Sequence, residues 1–258
     1  MSTVLYESPI FGPVHSRRLG VSLGINLMPA DGKICTFDCI YCECGRNASR
    51  KPTQHRPTRE QVATALRKKL EQMKADGIAP NVLTFAGNGE PTAHPDFPGI
   101  MADTIAIRNE FFPDAKVSVL SNATRLGNDQ VFQALMKIDN NIQKLDTVNP
   151  SYIDAIDVPL VPYDVENIIE RLAAFKGHVI IQTMFMKGYL GERDMDNTGD
   201  AYVLPWIEAL KRIKPEKVMI YTIDRETPVT TLQKATHEEL DRIVDLLKSN
   251  GFSAQASY

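Results

Sequence analysis

Residues 19–44, LGVSLGINLMPADGKICTFDCIYCEC, decide how the rest of the chain is read. The first ten of them are apolar and alternate enough for a strand. Behind that strand lie all four cysteines of the protein, Cys35, Cys39, Cys42 and Cys44, within ten positions. A secreted disulfide framework spreads its cysteines to staple distant segments. Four thiols in one loop cannot do that; they point to a metal or cluster site in a reducing compartment. The first three follow C-x₃-C-x₂-C spacing. Three thiolates can hold three corners of a four-iron cluster and leave one iron open, where a closed electron carrier uses four cysteines.

Outward from this loop, the apolar pattern alternates between period two and period 3.6. Strands are predicted over 81–86, 116–120, 142–146, 178–185 and 217–221, with a short final strand in 253–258. Helices are predicted over 58–73, 94–112, 129–138, 164–175, 204–213 and 236–247. Thr58 with Gln61 and Thr236 with Glu239 match capping boxes, and Pro205 fits a first helical turn. Six strands alternating with six helices imply an α/β fold with a parallel sheet and right-handed crossovers. No linker parts the chain, so 1–258 reads as one domain. The strand ends carry polar groups, Glu90, Ser121, Asn122, Asp146, Gln182, Tyr221 and Asp224, where a barrel places its chemistry.

Composition narrows the partners. The 258 residues are 43% hydrophobic and 24% charged, with 29 Lys+Arg against 32 Asp+Glu. That excludes disorder, and a net charge of −3 excludes whole-chain polycation behaviour. No signal peptide opens the chain, and no apolar run approaches the ~20 residues of a membrane helix. The expectation is a cytoplasmic protein with no membrane contact. One segment, 46–69, holds eight Lys/Arg against the single acid Glu60. It reads as a solvated helix face or as an RNA-backbone contact.

The cysteine loop, with Tyr41 before its last cysteine, and the run Gly87-Asn88-Gly89-Glu90 after the second strand together resemble the radical S-adenosylmethionine (SAM) superfamily. Within it, residues 12–20 (GPVHSRRLG), 89–92 (GEPT) and 221–225 (YTIDR) are most similar to the group containing the wyosine tRNA-base synthases. Residues 1–34 lack that group's second-cluster cysteines. The resemblance implies a (β/α)6-type partial TIM barrel, a radical SAM core over 1–258. It implies a [4Fe-4S] cluster on Cys35, Cys39 and Cys42, with S-adenosyl-L-methionine on the open iron. Tyr41 would lie against the adenine, Gly87 to Glu90 would receive the amino group, and Ser121, Asn122 and Asp146 would touch ribose or carboxylate. The implied reaction is reductive cleavage of SAM to a 5′-deoxyadenosyl radical that abstracts hydrogen from substrate. A flavodoxin or ferredoxin would donate the electron, and tRNA is a candidate substrate.

Plainer readings stand beside these. Cys44 could complete a tetrahedral zinc knuckle, which would make the chain a zinc-stabilised RNA-binding module without catalysis. With a cluster present, Cys44 is a spectator thiol. The two glycines beside Glu90 suit backbone approach to a ligand. Ser121 and Asn122 could be turn-formers, and Asp146 a satisfied loop acid. Met184 and Met186 read as core or pocket lining. The polar stretch 187–199 reads as a lid or a surface loop.

Overall fold

A first strand absent from the expectation, β1 (Ile10–Ser16), runs antiparallel to β2 (Gly20–Ile25). From β2 the sheet continues in parallel through β3 (Val82–Phe85), β4 (Lys116–Ser121), β5 (Asn140–Lys144) and β6 (Ile180–Met184). The chain then leaves the sheet as β7 (Met186–Leu190) and β8 (Arg193–Asp194), and returns as β9 (Lys217–Tyr221) beside β6. β10 (Leu232–Lys234) pairs antiparallel with β7, and β11 (Ala254–Ser257) lies parallel to β9. The final strand expected in the tail is therefore present. The structure, a computed structural model, describes residues 4–16 and 20–258; Arg17, Arg18 and Leu19 of the 12–20 motif lie outside the described residues.

Helices return the chain between the parallel strands: α1 (Arg59–Ala75), α2 (Phe97–Phe111), α3 (Asp129–Leu135), α4 (Pro150–Ile156), α5 (Val165–Ala173), α6 (Asp200–Ile213) and α7 (His237–Ser249). Both capping boxes form, at Thr58 and Thr236. The α1 face is Val62, Leu66, Leu70 and Met73, as its spacing predicts. Three expectations are corrected. The 94–112 helix begins only at Phe97, because a 3₁₀ turn (Pro91–Ala93) and Pro95 precede it. The 204–213 helix begins four residues earlier, so Pro205 lies inside it. The stretch 187–199 is largely the ordered β7–β8 hairpin held against β10, and Asn197 secures it by accepting from Met186 N at 2.8 Å and donating to Met184 O at 2.8 Å.

Strand order is β1-β2-β3-β4-β5-β6-β9-β11, so β1 and β11 are the edges of a partial barrel. Alternation sorts each strand onto two faces. Leu83, Phe85, Val117, Val119, Ile181, Val218 and Ile220 face the helices in the main core. Full burial of each contributes about 1.5–3 kcal/mol as an upper estimate. Their neighbours Thr84, Leu120, Ile142, Gln182 and Met219 line the barrel interior. Among the described residues, no helix is long and apolar enough to cross a membrane.

Candidate functional site

The loop after β2 is clamped from both sides by backbone. On one side Ile34 N donates to Asn88 O at 3.0 Å, and Glu90 N donates to Ile34 O at 3.2 Å. On the other, Asp38 N donates to Asp157 O and Ile40 N to Ile156 O, both at 2.9 Å, while Leu160 N reaches Thr36 O at 2.8 Å. Asn47 fills the turn between them, accepting from Cys35 N at 3.1 Å and donating to Phe37 O at 3.0 Å. The result presents Cys35, Cys39 and Cys42, all half-buried, at the carboxyl ends of the strands. Cys44 is buried, its thiol donating to Gly87 O at 3.4 Å.

Among the described residues, no three His, Cys, Asp or Glu side chains stand close enough to hold one metal ion. A closed zinc knuckle needs its four ligands around a single centre.

Charge at the loop is dominated by a lysine the sequence reading passed over. Lys33 is 3% exposed, with Nζ donating to Gly45 O at 2.7 Å and to Asp38 at 3.4 Å. Burial works against its charge, yet Cys42, Cys35 and Cys39 together hold the ammonium above the ordinary lysine range. Burial pushes the Cys35 thiol up to about 12 and Cys39 well above its usual value. Cys42 is pulled down, chiefly by its hydrogen bond with Cys44 and then by Lys33, and Cys44 is pushed up.

The glycines of the 87–90 run are required by close neighbours within the protein itself. A methyl on Gly89, at φ +139°, would lie 1.8 Å from Ile34 O, and one on Gly87 would meet Asn26 at 2.8 Å. Asn88 is also committed, donating to Pro29 O and Tyr6 O and accepting from Tyr6 N at 2.8–2.9 Å. Glu90 differs. It is 2% exposed, with Thr92 N and Oγ1 on one oxygen and Asn122 N at 2.7 Å on the other. Burial raises its carboxyl above the ordinary range despite those donors. Among the described residues no basic side chain pairs with it.

Ser121 and Asn122 both bond the turn that follows β4. Ser121 Oγ accepts from Ala123 N, and Asn122 Oδ1 from Thr124 N. Asn122 also reaches the cluster loop, its Nδ2 lying 2.8 Å from Thr36 Oγ1 and 3.6 Å from Cys35 Sγ. Asp146 is likewise satisfied within the chain, by Tyr41 OH, Lys144 and Met184 N. Lys144 Nζ also bonds Tyr41 OH and lies 2.7 Å from Asp157 Oδ1, which faces Cys39 Sγ at 3.5 Å. Lys144 and Asp157 escaped the sequence reading. The one available signal was a lysine at the end of an otherwise neutral strand.

A cavity of about 460 Å³ opens at these strand ends and runs into the barrel. Tyr41, Cys42 and Gly87 line it; Glu90, Ser121, Asn122 and Asp146 do not. Residues 221–225 form part of its wall, and Arg225 is bonded to Tyr6 OH at 3.0 Å and to Glu43 at 2.9 Å. Of the basic segment 46–69, Arg59 pairs with Asp103 and Arg67 with Glu110, both at 2.6 Å, and Arg46 bonds Asp38.

Residues 31–201 match the family described as the Radical SAM superfamily. A UPF0026 protein of Helicobacter pylori (strain J99) is 30% identical over 84% of this chain, which spans 66% of that protein. Among solved structures, a radical SAM methyltransferase from Sphaerobacter thermophilus superposes with TM-score 0.69 at 14% identity over 92% of this chain and 66% of its own. Streptococcus suis SuiB bound to S-adenosylmethionine gives 0.65 at 13%, over 91% of this chain and 50% of its own. The chain thus spans less than two thirds of the length of each. The structural likenesses carry the fold, a partial barrel with a mostly parallel sheet.

Proposed function

Because the chain belongs to the radical SAM superfamily and is an enzyme of that general reaction, we propose that Cys35, Cys39 and Cys42 hold a [4Fe-4S] cluster that binds SAM at its open iron. The observation that carries this reading is the clamped loop, with three half-buried thiols held at the strand ends by the Ile34–Gly89 pairing. When bound, cluster and SAM supply a 5′-deoxyadenosyl radical that abstracts hydrogen from the substrate. The chain's own contributions are distinct. Lys33 offsets thiolate charge, Tyr41 and Gly87 wall the cavity beside Cys42, and Glu90 offers a buried carboxylate to the SAM ammonium. Residues 1–258 act as one core unit in the reducing cytoplasm, with flavodoxin or ferredoxin as electron donor.

The barrel floor of Thr84, Leu120, Ile142, Gln182 and Met219 carries no charge, and Arg225 at the cavity wall is paired. Glu43 and Asp224 line the same cavity, so its charged groups belong to the wall and not to the floor. The motifs at 89–92 and 221–225 favour tRNA as the whole substrate, although Arg46, Arg59 and Arg67 are already engaged by acidic residues or backbone. The test is anaerobic purification and reconstitution. Iron with sulfide, and SAM cleaved to methionine and 5′-deoxyadenosine under dithionite, support the reading; a colourless protein with one zinc overturns it. The same loaded protein should bind bulk tRNA with a log–log salt slope near roughly −0.7 to −0.9 per phosphate neutralised. No binding at low salt removes tRNA while leaving the cluster chemistry standing.

Glu90→Gln tests the ammonium contact more cleanly than truncation, since an amide still accepts from Thr92 or Asn122. A charge-assisted hydrogen bond is worth roughly 1.5–3 kcal/mol, so SAM affinity should fall about ten- to hundredfold with iron content unchanged. Calorimetry on reconstituted protein reads the result, and equal affinity removes Glu90 from the SAM site.

A further inference from the structure

Lys144 closes β5 with its side chain 14% exposed, beside two buried carboxylates. Its ammonium bonds Asp146, Asp157 Oδ1 and the Tyr41 hydroxyl, and lies 4.7 Å from the centre of the Tyr41 ring. Through these partners it touches the cysteine loop on both sides of Ile40. Tyr41 precedes Cys42, and Asp157 Oδ1 stands 3.5 Å from Cys39 Sγ. The group holds two carboxylates and one ammonium; without Lys144 it would hold two uncompensated negative charges.

We propose that Lys144 is a positioning residue that sets the charge at the Cys39 corner of the cluster site, through Asp157, and so makes the bound cluster easier to reduce. The proposal rests on the reading of Cys35, Cys39 and Cys42 as cluster ligands. Its physical basis is Coulombic. Adding one electron to the oxidised cluster adds one negative charge, and buried charges a few ångströms apart are weakly screened. A fixed ammonium in this group favours that electron, and a bare pair of carboxylates opposes it. A merely structural Lys144, holding Tyr41 and Asp157 in place, would affect cluster uptake without a signed effect on the potential.

The experiment is an EPR-monitored redox titration of the reconstituted, SAM-free protein, with dithionite as one-electron reductant and soluble mediators. At the wild-type midpoint, Lys144→Met should show a reduced-to-oxidised ratio at least tenfold lower, a shift of 59 mV for a one-electron couple. Asp157→Asn, which removes a negative charge and keeps the lysine, should move the ratio the opposite way. Lys144→Arg should stay near wild type. If Lys144→Met takes up no iron, Asp157→Asn alone decides: a raised potential supports the proposal and an unchanged or lowered one overturns it. Equal midpoints in wild type and Lys144→Met, with iron retained, also overturn it. A wild-type protein that holds no four-iron cluster overturns the cluster reading itself, and this proposal with it.

Discussion

Cys39→Ala protein should purify folded and without iron, and SAM cleavage should disappear with the metal. Cys39 sits in a loop outside the core between sheet and helices, and its thiol's one described hydrogen-bond partner is Asp157 at 3.5 Å. Removing that thiol costs the fold about 1 kcal/mol, a shift of roughly 2–4 °C in Tm for a chain of this size. Iron and sulfide assays beside a thermal melt followed by circular dichroism separate the two effects. Cys44→Ala is the matched control, because Cys44 lies outside the C-x₃-C-x₂-C spacing, although its thiol touches both Gly87 O and Cys42. It should keep its iron. Loss of iron as complete as in Cys39→Ala would replace three ligands by four.

Gly89→Ala should destabilise the protein severely. The backbone at φ +139° is costly for any side chain, about 1–3 kcal/mol. The added carbon would also lie 1.8 Å from Ile34 O, a backbone atom that cannot turn aside. Relieving that overlap adds about 1–3 kcal/mol and breaks the pairing that seats the cysteine loop against the Gly-Glu run. Tm should drop by roughly 5–20 °C, and iron uptake should fail even where the protein still folds. Gly127→Ala gives the baseline, since a methyl there meets nothing within 4 Å. Wild-type iron content in Gly89→Ala would show that the loop does not depend on this contact.

The parallel sheet and its helices are legible because period-two and period-3.6 runs, with Thr58 and Thr236 at helix starts, are local signals. β1 is not, since 10–16 carries Gly12 and Pro13 and reads as a turn; proline is tolerated there because the strand is an edge. α4 is only seven residues long, although Asn149 as cap and Pro150 behind it were a readable start. The β7–β8–β10 sheet depends on pairing across more than forty residues, between 188 and 232, which no window along the chain can see. The site divides the same way. The spacing of Cys35, Cys39 and Cys42 and the Gly-Glu run stand out in the sequence. The reason Gly89 must be glycine does not, because its neighbour is Ile34, and Lys144 meets Asp157 only after folding.

The two-sided clamp on residues 34–42 also bears on how the protein recovers from oxidation. Metal-dependent modules such as zinc fingers fold only when the ion arrives, so much of their binding free energy goes into ordering the chain. Here the ordering of that loop, about 1–2 kcal/mol for each backbone residue, is accomplished by hydrogen bonds to Asn88, Ile156 and Asp157. A chain stripped of iron by oxygen would keep the mould of its site. A cluster lost to oxygen would then be rebuilt on a loop that the fold itself already shapes.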